Sequence, residues 1–374
     1  MRVLLVDLET AWRGGQNQAL LLLKGLRDRG HESELLAANG SALGQRAAAS
    51  DLRVHFVSRG MFRFPAAWKV RELLCSGRFD VVHANEAHAV TAAWLALWQR
   101  RKPLLVPFVI SRRVGYPIGK SPLAQARYKA AVRIIANSRW VAEQAAACGA
   151  PPEKMHVVYE GAAIPPRCTA EQRERARACW GILDPTPLLG CVGVLLPDKG
   201  QEWLIRALAE VKKEFPAGRL LLAGDGPCRG RLESLAQELG LKNDVIFAGF
   251  VKDVENVYAA LDVFLLPSFF EALNNSLLAA MAYEIPSIAF NRGSLGEIIE
   301  HGKSGLLVSG ANVEEISQAV TQLLRERDFA RQLGRSGRIR VEQDFSAEKM
   351  VEGMIRVYEE ASQSKKRRVA HSAG

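Results

Sequence analysis

Residues 261–290, LDVFLLPSFFEALNNSLLAAMAYEIPSIAF, decide the fold of this chain. Leu261–Leu266 is an apolar run of the length of a buried strand, and a proline follows it. The polar stretch Glu271–Ser276 leads into a helical segment at Leu277–Tyr283, and Pro286–Phe290 is the next strand candidate. The order of strand, polar loop, helix and strand is typical of a parallel α/β sheet.

A lone carboxylate, Glu271, stands just ahead of this helix. In parallel α/β sheets, ligands bind at the carboxyl ends of the strands, where loops lead into helix N-termini. Those N-termini present free backbone N–H groups and the positive end of the helix dipole, which suit a phosphate. The stretch therefore predicts a ligand that combines phosphates with sugar hydroxyls.

Length and composition place the chain among ordinary globular proteins. Its 374 residues predict two domains, and 48% hydrophobic with 24% charged residues is a normal content. The six cysteines show neither CxxC spacing nor a pattern with histidines, which favours reduced thiols in a cytosolic protein over a zinc site. Asp7 and Glu9 interrupt the N-terminal run, and no apolar stretch approaches the ~20 residues that span a bilayer. We expect neither an export nor a transmembrane segment.

Positive charge is concentrated in the first 150 residues, which hold 22 Lys and Arg against 10 Asp and Glu. No acidic residue lies between Glu86 and Glu143, whereas ten basic residues do. Four aromatic residues are interleaved with them: Trp94, Trp98, Tyr116 and Tyr128. Basic and aromatic residues together suit an anionic membrane surface or a nucleic acid, and a solvated positive face is the simpler alternative. We expect no nucleic-acid partner.

Short strand and helix patterns alternate along the chain in two series. The first runs from Arg2–Asp7 to His156–Tyr159, and the second from Leu188–Val192 to Gly305–Val308. Gly161–Thr169 contains two prolines and no period, and is predicted to be the linker. The alternation predicts two parallel sheets covered on both faces, and such tandem domains favour a ligand between them.

Two further loops carry candidate site residues. GVLLPDKG, residues 193–200, places Lys199 at a helix start, where it would reach phosphate oxygens. Lysine is common at such positions, so a purely structural role stays open. Gly224–Pro227 follows a strand and has the composition of a turn, which Asp225 is expected to cap.

Four stretches, in this order and spacing, resemble the family-4 retaining glycosyltransferases. They are AGDGPCRGRLESLAQELGL, DVIFAGFVKDVENVYAALDVFLLPS, FFEALNNSLLAAMAYEIPSIA and HGKSGLLV. The resemblance extends to the glycine pair Gly14-Gly15, to IIANSRWV and to the closing FSAEKM. It implies a GT-B fold: two Rossmann-like, doubly wound parallel-sheet domains that face each other across a cleft, with a C-terminal helix that returns to the N-domain.

The resemblance divides the chain into domains. Residues 1–166 and the amphipathic helix 346–361 would form the acceptor-binding domain, and residues 167–345 the nucleotide-sugar-binding domain. Residues 362–374, rich in Lys and Arg and poor in apolar side chains, are predicted to be a basic disordered tail.

The resemblance also implies roles for individual residues. Lys199 would contact the donor pyrophosphate, and Glu271 would hold a hydroxyl of the transferred sugar. The other donor-site positions are Gly14, Gly15, Gly224, Phe250, Val251, Leu273, Asn274, Asn275, Ser276 and Ala279. Gln16 and His88 would contact the acceptor, whereas His83 is expected to satisfy a backbone carbonyl.

Three positions depart from the family pattern. Ala279 stands where the second acid of the Glu-x7-Glu motif would bind the ribose; such a hydrogen bond is worth roughly 1.5–3 kcal/mol. Its loss would weaken donor binding by ~10–100-fold. Val194 stands where an arginine is frequent. Ser111-Arg112-Arg113 replaces a frequent histidine, and Arg112 or Arg113 would restore positive charge at the diphosphate.

The sequence thus predicts a retaining, metal-independent glycosyltransferase that needs no cofactor besides its nucleoside-diphosphate-sugar co-substrate. Lys199, Arg112 or Arg113 and a helix N-terminus would stabilise the departing diphosphate. The acceptor would be a glycan or a lipid-linked glycan such as a lipopolysaccharide core. The protein would be cytoplasmic, either free or peripheral at the inner face of the plasma membrane.

Two other functions stay open at this point. A catalytically weakened member would bind a glycan or a partner protein without turnover, and Ala279 and Val194 favour it. Nucleotide-sugar epimerase chemistry on the same fold is disfavoured, because no acid/base pair is identifiable.

Overall fold

The computed structural model describes residues 1–58, 63–98, 105–119 and 121–372, and only the backbone of 364–372. The chain divides into two compact units. Unit 1 contains Met1–Gly161 and Ala347–Gly374, and unit 2 contains Ala162–Ser346. The sequence places the first boundary a few residues later, after residue 166.

Unit 1 alternates strands and helices. Its strands are β1 (Arg2–Asp7), β2 (Glu32–Ala38), β3 (Arg53–Val57), β4 (Val81–Ala84), β5 (Phe108–Arg112), β6 (Arg133–Ala136) and β7 (Met155–Val157). The helices between them are α1 (Gly14–Asp28), α2 (Ala42–Ala48), α3 (Phe64–Cys75), α4 (Ala87–Leu97), α5 (Pro122–Ala130) and α6 (Arg139–Ala147). All strand pairs are parallel, and the sheet order is β3-β2-β1-β4-β5-β6-β7.

Unit 2 repeats this architecture. Its strands are β8 (Leu188–Val192), β9 (Arg219–Ala223), β10 (Val245–Gly249), β11 (Val263–Leu266), β12 (Ser287–Phe290) and β13 (Leu306–Val308). Its helices are α7 (Ala170–Cys179), α8 (Gln201–Val211), α9 (Arg229–Glu238), α10 (Glu255–Ala260), α11 (Asn275–Ala282), α12 (Leu295–Ile298), α13 (Val313–Arg325) and α14 (Arg327–Asp344). The parallel sheet has the order β10-β9-β8-β11-β12-β13. The prediction of two Rossmann-like parallel-sheet domains is confirmed.

The last helix, α15 (Ala347–Ser372), belongs to unit 1. Val351 and Tyr358 of α15 are buried together with Leu22 and Leu26 of α1, so the helix covers one face of the sheet of unit 1. α15 continues through Ser372, where the sequence predicted a disordered tail from residue 362. Nothing in residues 362–372 interrupts the helix, because Lys, Arg and Ala are good helix formers and no Gly or Pro occurs among them.

Helices α3 and α4 cover the opposite face of the same sheet. Val70 and Leu74 of α3 lie in one core cluster with Val90 and Trp94 of α4 and with Phe108 of β5. Helices of this kind bury one stripe and leave the other to solvent. None of the helices in the described ranges is both long and apolar enough to span a membrane.

Some elements differ from the sequence prediction at their ends. The apolar run LLVPFVI, residues 104–110, predicts a strand over its whole length. The observed strand β5 begins at Phe108, directly after Pro107, and Leu104 lies outside the described residues. Proline has no backbone N–H to donate to a strand ladder, which explains the later start. Helix α7 begins at the end of the predicted linker, where Thr169 and Gln172 form a capping box.

Candidate functional site

Two loops meet at the centre of the sheet of unit 2, where β8 and β11 are neighbours. Chain connections leave these two strands in opposite directions, and parallel α/β sheets bind ligands at such a topological switch point. The loop after β8 carries Lys199, and the loop after β11 carries Glu271. Phe269 N donates a 2.9 Å hydrogen bond to Asp198 O and joins the two loops.

Gly200 allows the backbones of these loops to touch. Its φ of +67° lies in the left-handed region, and a Cβ at this position would lie 2.2 Å from the carbonyl oxygen of Pro267. Any other residue would therefore be strained and would collide with backbone. The glycine after Lys199 thus fixes how closely the lysine approaches the loop that follows β11.

The structure brings the two predicted residues Lys199 and Glu271 together. Lys199 Nζ lies 2.7 Å from Glu271 Oε1, and the lysine is half-buried while the glutamate is buried. Asn274 Nδ2 donates to the same carboxylate oxygen at 3.0 Å. Ser294 N donates to the backbone carbonyl of Glu271 at 3.1 Å, so the loop after β12 holds the glutamate backbone in place. Lys199 and Glu271 are thus a cation and a carboxylate held in place after the ends of β8 and β11.

Helix α11 begins beside this pair. Asn274 is its N-cap, and its Oδ1 accepts a 2.8 Å hydrogen bond from Leu277 N. The first amides of a helix have no acceptor within the helix and carry its positive dipole end. The predicted stretch Leu273–Ser276 therefore contains a helix start of the kind that suits an anion, and its Asn274 contacts the same carboxylate oxygen as Lys199. The Ser276 side chain is bonded to Tyr258, whose pKa burial raises.

Ala279 lies on the second turn of α11 and is half-buried. No carboxylate replaces the motif glutamate from nearby in sequence. Glu284, which follows α11, pairs with Arg167 at 2.8 Å and with Arg338 at 3.8 Å. An eight-residue helix is ~12 Å long, and Glu284 lies at its opposite end from Glu271.

Glycines in two other loops of unit 2 let their backbones pack tightly. A Cβ on Gly224 would lie 1.9 Å from Gly193 O, and Leu195 N donates to Asp225 O at 3.0 Å. Gly224 N also donates to Gly249 O at 2.8 Å, which ties the loop after β9 to the end of β10. Phe250 follows directly and is 78% exposed. Its exposed ring is suited to stack on a planar ligand.

The remaining predicted residues of these loops are placed as follows. Val251 is half-buried beside Phe250, and Val194 is exposed. Asp225 Oδ1 accepts a 2.8 Å hydrogen bond from Gly226 N, which is the turn-capping role that the sequence predicts. The loop after β8, with Gly193 and Val194, thus packs against the loop after β9, with Gly226. The side chain at position 194, where an arginine is frequent in the family, is the neutral one of valine.

A second group of polar side chains lies at the strand ends of unit 1. Asp7 ends β1 and is fully buried. Its Oδ2 accepts hydrogen bonds from Gln16 Nε2 at 3.0 Å and from Asn85 Nδ2 at 2.6 Å. Burial raises the pKa of Asp7, and the hydrogen bonds from Asn85 and Gln16 oppose that shift. The predicted acceptor residue Gln16 is therefore held by a buried aspartate.

Arg113 extends this group toward the glycine pair. Its Nη1 donates to Asn85 Oδ1 at 2.6 Å, and its Nε lies 3.0 Å from Glu160 Oε1. Gly14 and Gly15 are the first residues of α1, and a Cβ on Gly15 would lie 3.7 Å from Arg113 Cδ. The structure thus brings the predicted residues Gly15, Gln16 and Arg113 together in unit 1.

Arg112 does not join them. It is buried, donates from Nη1 to the Tyr128 hydroxyl at 2.9 Å and from Nη2 to the Tyr116 carbonyl. Successive residues of a strand point to opposite faces, so Arg112 and Arg113 cannot share one partner set. Of the two arginines that the sequence proposes, Arg112 thus holds Tyr116 and Tyr128, and Arg113 is the one that contacts Asn85.

The two histidines have different surroundings. His83 is fully buried between the Tyr358 hydroxyl and Ser111 Oγ, each 2.7 Å from a ring nitrogen. The expected backbone carbonyl partner is therefore wrong, although the role is structural. Burial lowers the pKa of His83 to about 3, and the positive charge of Arg113 adds to the shift.

His88 lies in the first turn of α4. Arg63 Nη2 donates to its Nδ1 at 2.6 Å. Glu86, the N-cap of α4, accepts from His88 N and from Leu8 N, and burial raises the pKa of Glu86 to about 7. Glu86 thus links the first turn of α4, which carries His88, to Leu8, the residue that follows Asp7 at the end of β1.

Three residues of the unit 1 group were not predicted: Asp7, Asn85 and Glu160. Each one ends a strand or follows it by one to three residues, and polar residues after buried strands of a parallel sheet meet at one edge. That signal was available in the sequence. Within the described residues, no group of three or more His, Cys, Asp and Glu side chains could hold a metal ion.

Comparison with known proteins connects this architecture to one family. Residues 12–163 match the family model described as "Glycosyltransferase Family 4", and residues 186–326 match "Glycosyl transferases group 1". The first match covers unit 1 from residue 12 and extends two residues past Gly161, and the second lies within unit 2. Together they extend over most of the chain.

Relatives of known sequence agree with this assignment. An uncharacterized glycosyltransferase of Methanocaldococcus jannaschii is 27% identical over 322 residues, which is 81% of each chain. A GDP-mannose-dependent alpha-(1-6)-phosphatidylinositol monomannoside mannosyltransferase of Mycobacterium tuberculosis is 34% identical over 182 residues. That second match spans 46% of each chain, so the chain aligns with about half the length of this relative.

Solved structures share the fold. HepE of Anabaena, crystallised with UDP and glucose, has a TM-score of 0.81 at 21% identity, over 95% of this chain and 98% of its own. A glycosyltransferase from Rickettsia africae has a TM-score of 0.84 at 21% identity, over 96% and 98%. The resemblance inferred from sequence is confirmed: the chain belongs to glycosyltransferase family 4 and is a glycosyltransferase of the GT-B fold.

Proposed function

We propose that this glycosyltransferase moves a sugar from a nucleoside-diphosphate sugar to a glycan or lipid-linked acceptor, with retention of configuration and without a metal ion. One observation carries the proposal: Lys199 and Glu271 lie 2.7 Å apart at the switch point, beside the start of α11. This arrangement offers a cation and amides for phosphate and a carboxylate for sugar hydroxyls.

The chemistry would be chiefly electrostatic. A nucleoside diphosphate leaves with negative charge that develops in the transition state, and fixed donors aimed at that charge lower the barrier. Lys199 and the amides of Leu273–Ser276 are such donors, since loop packing holds them before a ligand arrives. Glu271 would orient the transferred sugar through its hydroxyls. Retention follows from the resemblance and would proceed by attack from the side of the leaving group.

The descriptions of the relatives suggest which donor bases and which class of acceptor to consider. HepE was crystallised with UDP and glucose, and the mycobacterial relative is described as GDP-mannose-dependent, so both bases are candidates. The mycobacterial relative is described as acting on a phosphatidylinositol monomannoside, and a fold neighbour is described as a lipopolysaccharide outer core galactosyltransferase. These descriptions support a lipid-linked, cell-envelope acceptor here. We propose that this acceptor is reached from the cytoplasmic face of the membrane.

Calorimetric titration with UDP and with GDP, followed by a panel of nucleotide sugars, tests the proposal. We expect micromolar to millimolar binding of one diphosphate and slow hydrolysis of one sugar nucleotide. NMR of the product gives the anomeric configuration, and EDTA should leave the rate unchanged. If neither nucleotide binds at millimolar concentration, the proposal fails.

A second candidate is a weakened member that binds a glycan or a partner protein without turnover. Ala279 and the exposed Val194 favour it, because each stands where the family pattern has a charged side chain. Nucleotide binding without hydrolysis or transfer across the whole panel would select this alternative. Turnover of any sugar nucleotide would exclude it.

A further inference from the structure

We propose that Glu86 is a positioning residue, whose ionised carboxylate holds the loop of residues 8–13 and, through it, the glycine pair at the start of α1. This segment is called the β1–α1 loop below. The inference rests on the proposed function, because the loop leads into the predicted donor and acceptor contacts Gly14, Gly15 and Gln16. Whether the loop is held can be measured without sugar transfer, so the two claims can fail separately.

The Glu86 carboxylate joins two segments of unit 1. Glu86 is the N-cap of α4, where its Oε1 accepts a 2.7 Å hydrogen bond from Ala89 N and its Oε2 accepts from His88 N. Oε1 also accepts a 3.1 Å hydrogen bond from Leu8 N, in the residue that follows β1. β1 and β4 are neighbours in the sheet, so the chain leaves both strands side by side. One side chain therefore holds the start of a helix and the start of the β1–α1 loop.

The next residues of the β1–α1 loop are also held by carboxylates on backbone amides. Asp7 Oδ1 accepts from Glu9 N at 3.0 Å, and Glu9 Oε1 accepts from Thr10 N at 2.9 Å. Three successive amides of the loop thus donate to three different carboxylates. Further along, the guanidinium of Arg46 in α2 lies 4.0 Å from the centroid of the Trp12 ring. The loop is therefore anchored along its length before the chain enters α1.

Helix capping alone does not account for a glutamate at this position. Ser, Thr, Asp and Asn are the preferred N-cap residues. Enclosing a carboxylate also costs free energy. Burial raises the pKa of Glu86 to about 7; the hydrogen bonds from the amides oppose that shift, and the charge of Asp7 adds to it. The longer side chain of glutamate has a second partner in Leu8 N, which is the contact that a cap does not require.

The charged groups around Glu86 come from several segments. Asp7, at the end of β1, adds its negative charge. Arg63, ahead of α3, donates to the ring of His88, two residues after Glu86. Burial raises the pKa of Asp7, and the positive charge of Arg113, after β5, opposes that shift. Within the described residues, neither of the two carboxylates forms an ion pair, so the amides are what favours an ionised Glu86.

Protonation of Glu86 should release the loop. Both oxygens of an ionised carboxylate accept hydrogen bonds, whereas protonation turns one of them into a donor. That hydroxyl would face backbone amides, which are donors as well. We therefore expect the β1–α1 loop to be held at pH 8, where Glu86 is ionised, and to be loose at pH 6.

Hydrogen–deuterium exchange on peptides that cover residues 8–13 tests the hold on the loop. Rates are corrected for the intrinsic effect of pH on amide exchange. In wild type we expect about tenfold faster exchange at pH 6 than at pH 8, because the protonated fraction of Glu86 rises from about one tenth to about nine tenths. Glu86→Gln should exchange rapidly at both pH values. Glu72→Gln is the matched control, since Glu72 is exposed on α3 and pairs only with Lys69.

A second variant separates the loop contact from the cap. Glu86→Asp supplies a preferred N-cap but shortens the reach toward Leu8 N. We expect the first turn of α4 to stay protected in this variant, while residues 8–13 exchange rapidly at pH 8. A glutamate that only caps the helix predicts the opposite, namely a loop as protected as in wild type.

The pH–rate profile connects the loop to the reaction. For a nucleotide sugar that the protein hydrolyses, we expect the wild-type rate to rise about tenfold from pH 6 to pH 8, in step with the ionisation of Glu86. Glu86→Gln should lack this rise. Ser121→Ala removes the N-cap of α5 and is the control for a lost cap, so its profile should match that of wild type.

Three results would overturn the inference. One is equal exchange of residues 8–13 at pH 6 and pH 8 in wild type, a comparison that needs no variant to fold. Another is Glu86→Asp that protects the loop as wild type does. The third is a pH-dependent loop with a pH-independent rate, which would show that the loop positions no reacting group. Failed nucleotide titrations with the expected exchange would refute the proposed function and leave the hold on the loop standing.

Discussion

Lys199 Nζ lies 2.7 Å from Glu271 Oε1, although 72 residues separate the two in sequence. They meet because β8 and β11 are adjacent and the loops after them are joined by the hydrogen bond from Phe269 N to Asp198 O. Glu271 also accepts from Asn274, the N-cap of α11. The ion pair, the N-cap and the first turn of α11 are therefore connected by hydrogen bonds.

Removal of the cation should slow transfer more than it weakens folding. In Lys199→Ala we expect transfer at saturating donor to fall by about 10²–10³-fold, because one preorganised donor to the developing charge is lost. Initial rates and the UDP or GDP affinity measure the effect. Lys213→Ala is the matched control, since Lys213 is exposed and pairs only at the surface with Glu210. Equal rates for the two variants would show that Lys199 is not in the site.

Restoration of the missing acid should tighten nucleotide binding. In Ala279→Glu we expect the affinity for the nucleoside diphosphate to rise by about 10–100-fold, from a new hydrogen bond between the carboxylate and the ribose. Calorimetric titration measures it. Ala217→Glu adds the same charge at an exposed site of unit 2 and should change nothing. An unchanged affinity in Ala279→Glu would place the ribose elsewhere.

The close approach of two loops makes Gly200 less replaceable than a glycine with the same φ in open space. Gly200 has φ +67° and a Cβ there would lie 2.2 Å from Pro267 O, whereas Gly240 has φ +72° with nothing within 4 Å. Gly240→Ala should cost about 1 kcal/mol of unfolding free energy from backbone strain alone. Gly200→Ala adds the collision and should cost about 2–4 kcal/mol. Chemical denaturation measures both, and equal costs would contradict the described contact.

Arg112 should matter for stability rather than for nucleotide binding. Its guanidinium bonds the Tyr116 carbonyl and the Tyr128 hydroxyl from a buried position. In Arg112→Ala we expect a loss of about 2–4 kcal/mol of unfolding free energy, because two charge-assisted hydrogen bonds disappear. UDP or GDP affinity should stay within twofold of wild type. A large loss of affinity in a variant that folds normally would return Arg112 to the site.

His83 should make the fold less stable in acid. Burial lowers its pKa to about 3 in the folded state, against about 6.5 when unfolded. Between these values the unfolded chain binds the extra proton, so the stability due to neutral His83 is lost as pH falls below 6.5. The contribution of His83 to the slope of unfolding free energy against pH approaches about 1.4 kcal/mol per pH unit. The slope of unfolding free energy between pH 6 and 4 should be shallower in His83→Gln by about this amount. Identical slopes would show that His83 is not protonated on unfolding.

Local pattern was enough for most of the strands and helices. Strands such as Arg2–Asp7 and Leu188–Val192 are largely buried and occur as short apolar runs, so their bounds are readable from the sequence. Element ends were less predictable where side chains decide them. Helix α11 begins at Asn275, two residues before the apolar run, because the side chain of Asn274 caps the helix.

The sequence by itself determined the family, the two parallel α/β sheets and the candidacy of Lys199 and Glu271, because these depend on residue type and local spacing. Only the tertiary structure decided that Arg113 and not Arg112 contacts Asn85, and that Lys199 and Glu271 form an ion pair. Such partnerships depend on which strands and helices are neighbours. Sheet order and helix packing fix those neighbours across long sequence separations, and no local pattern records them.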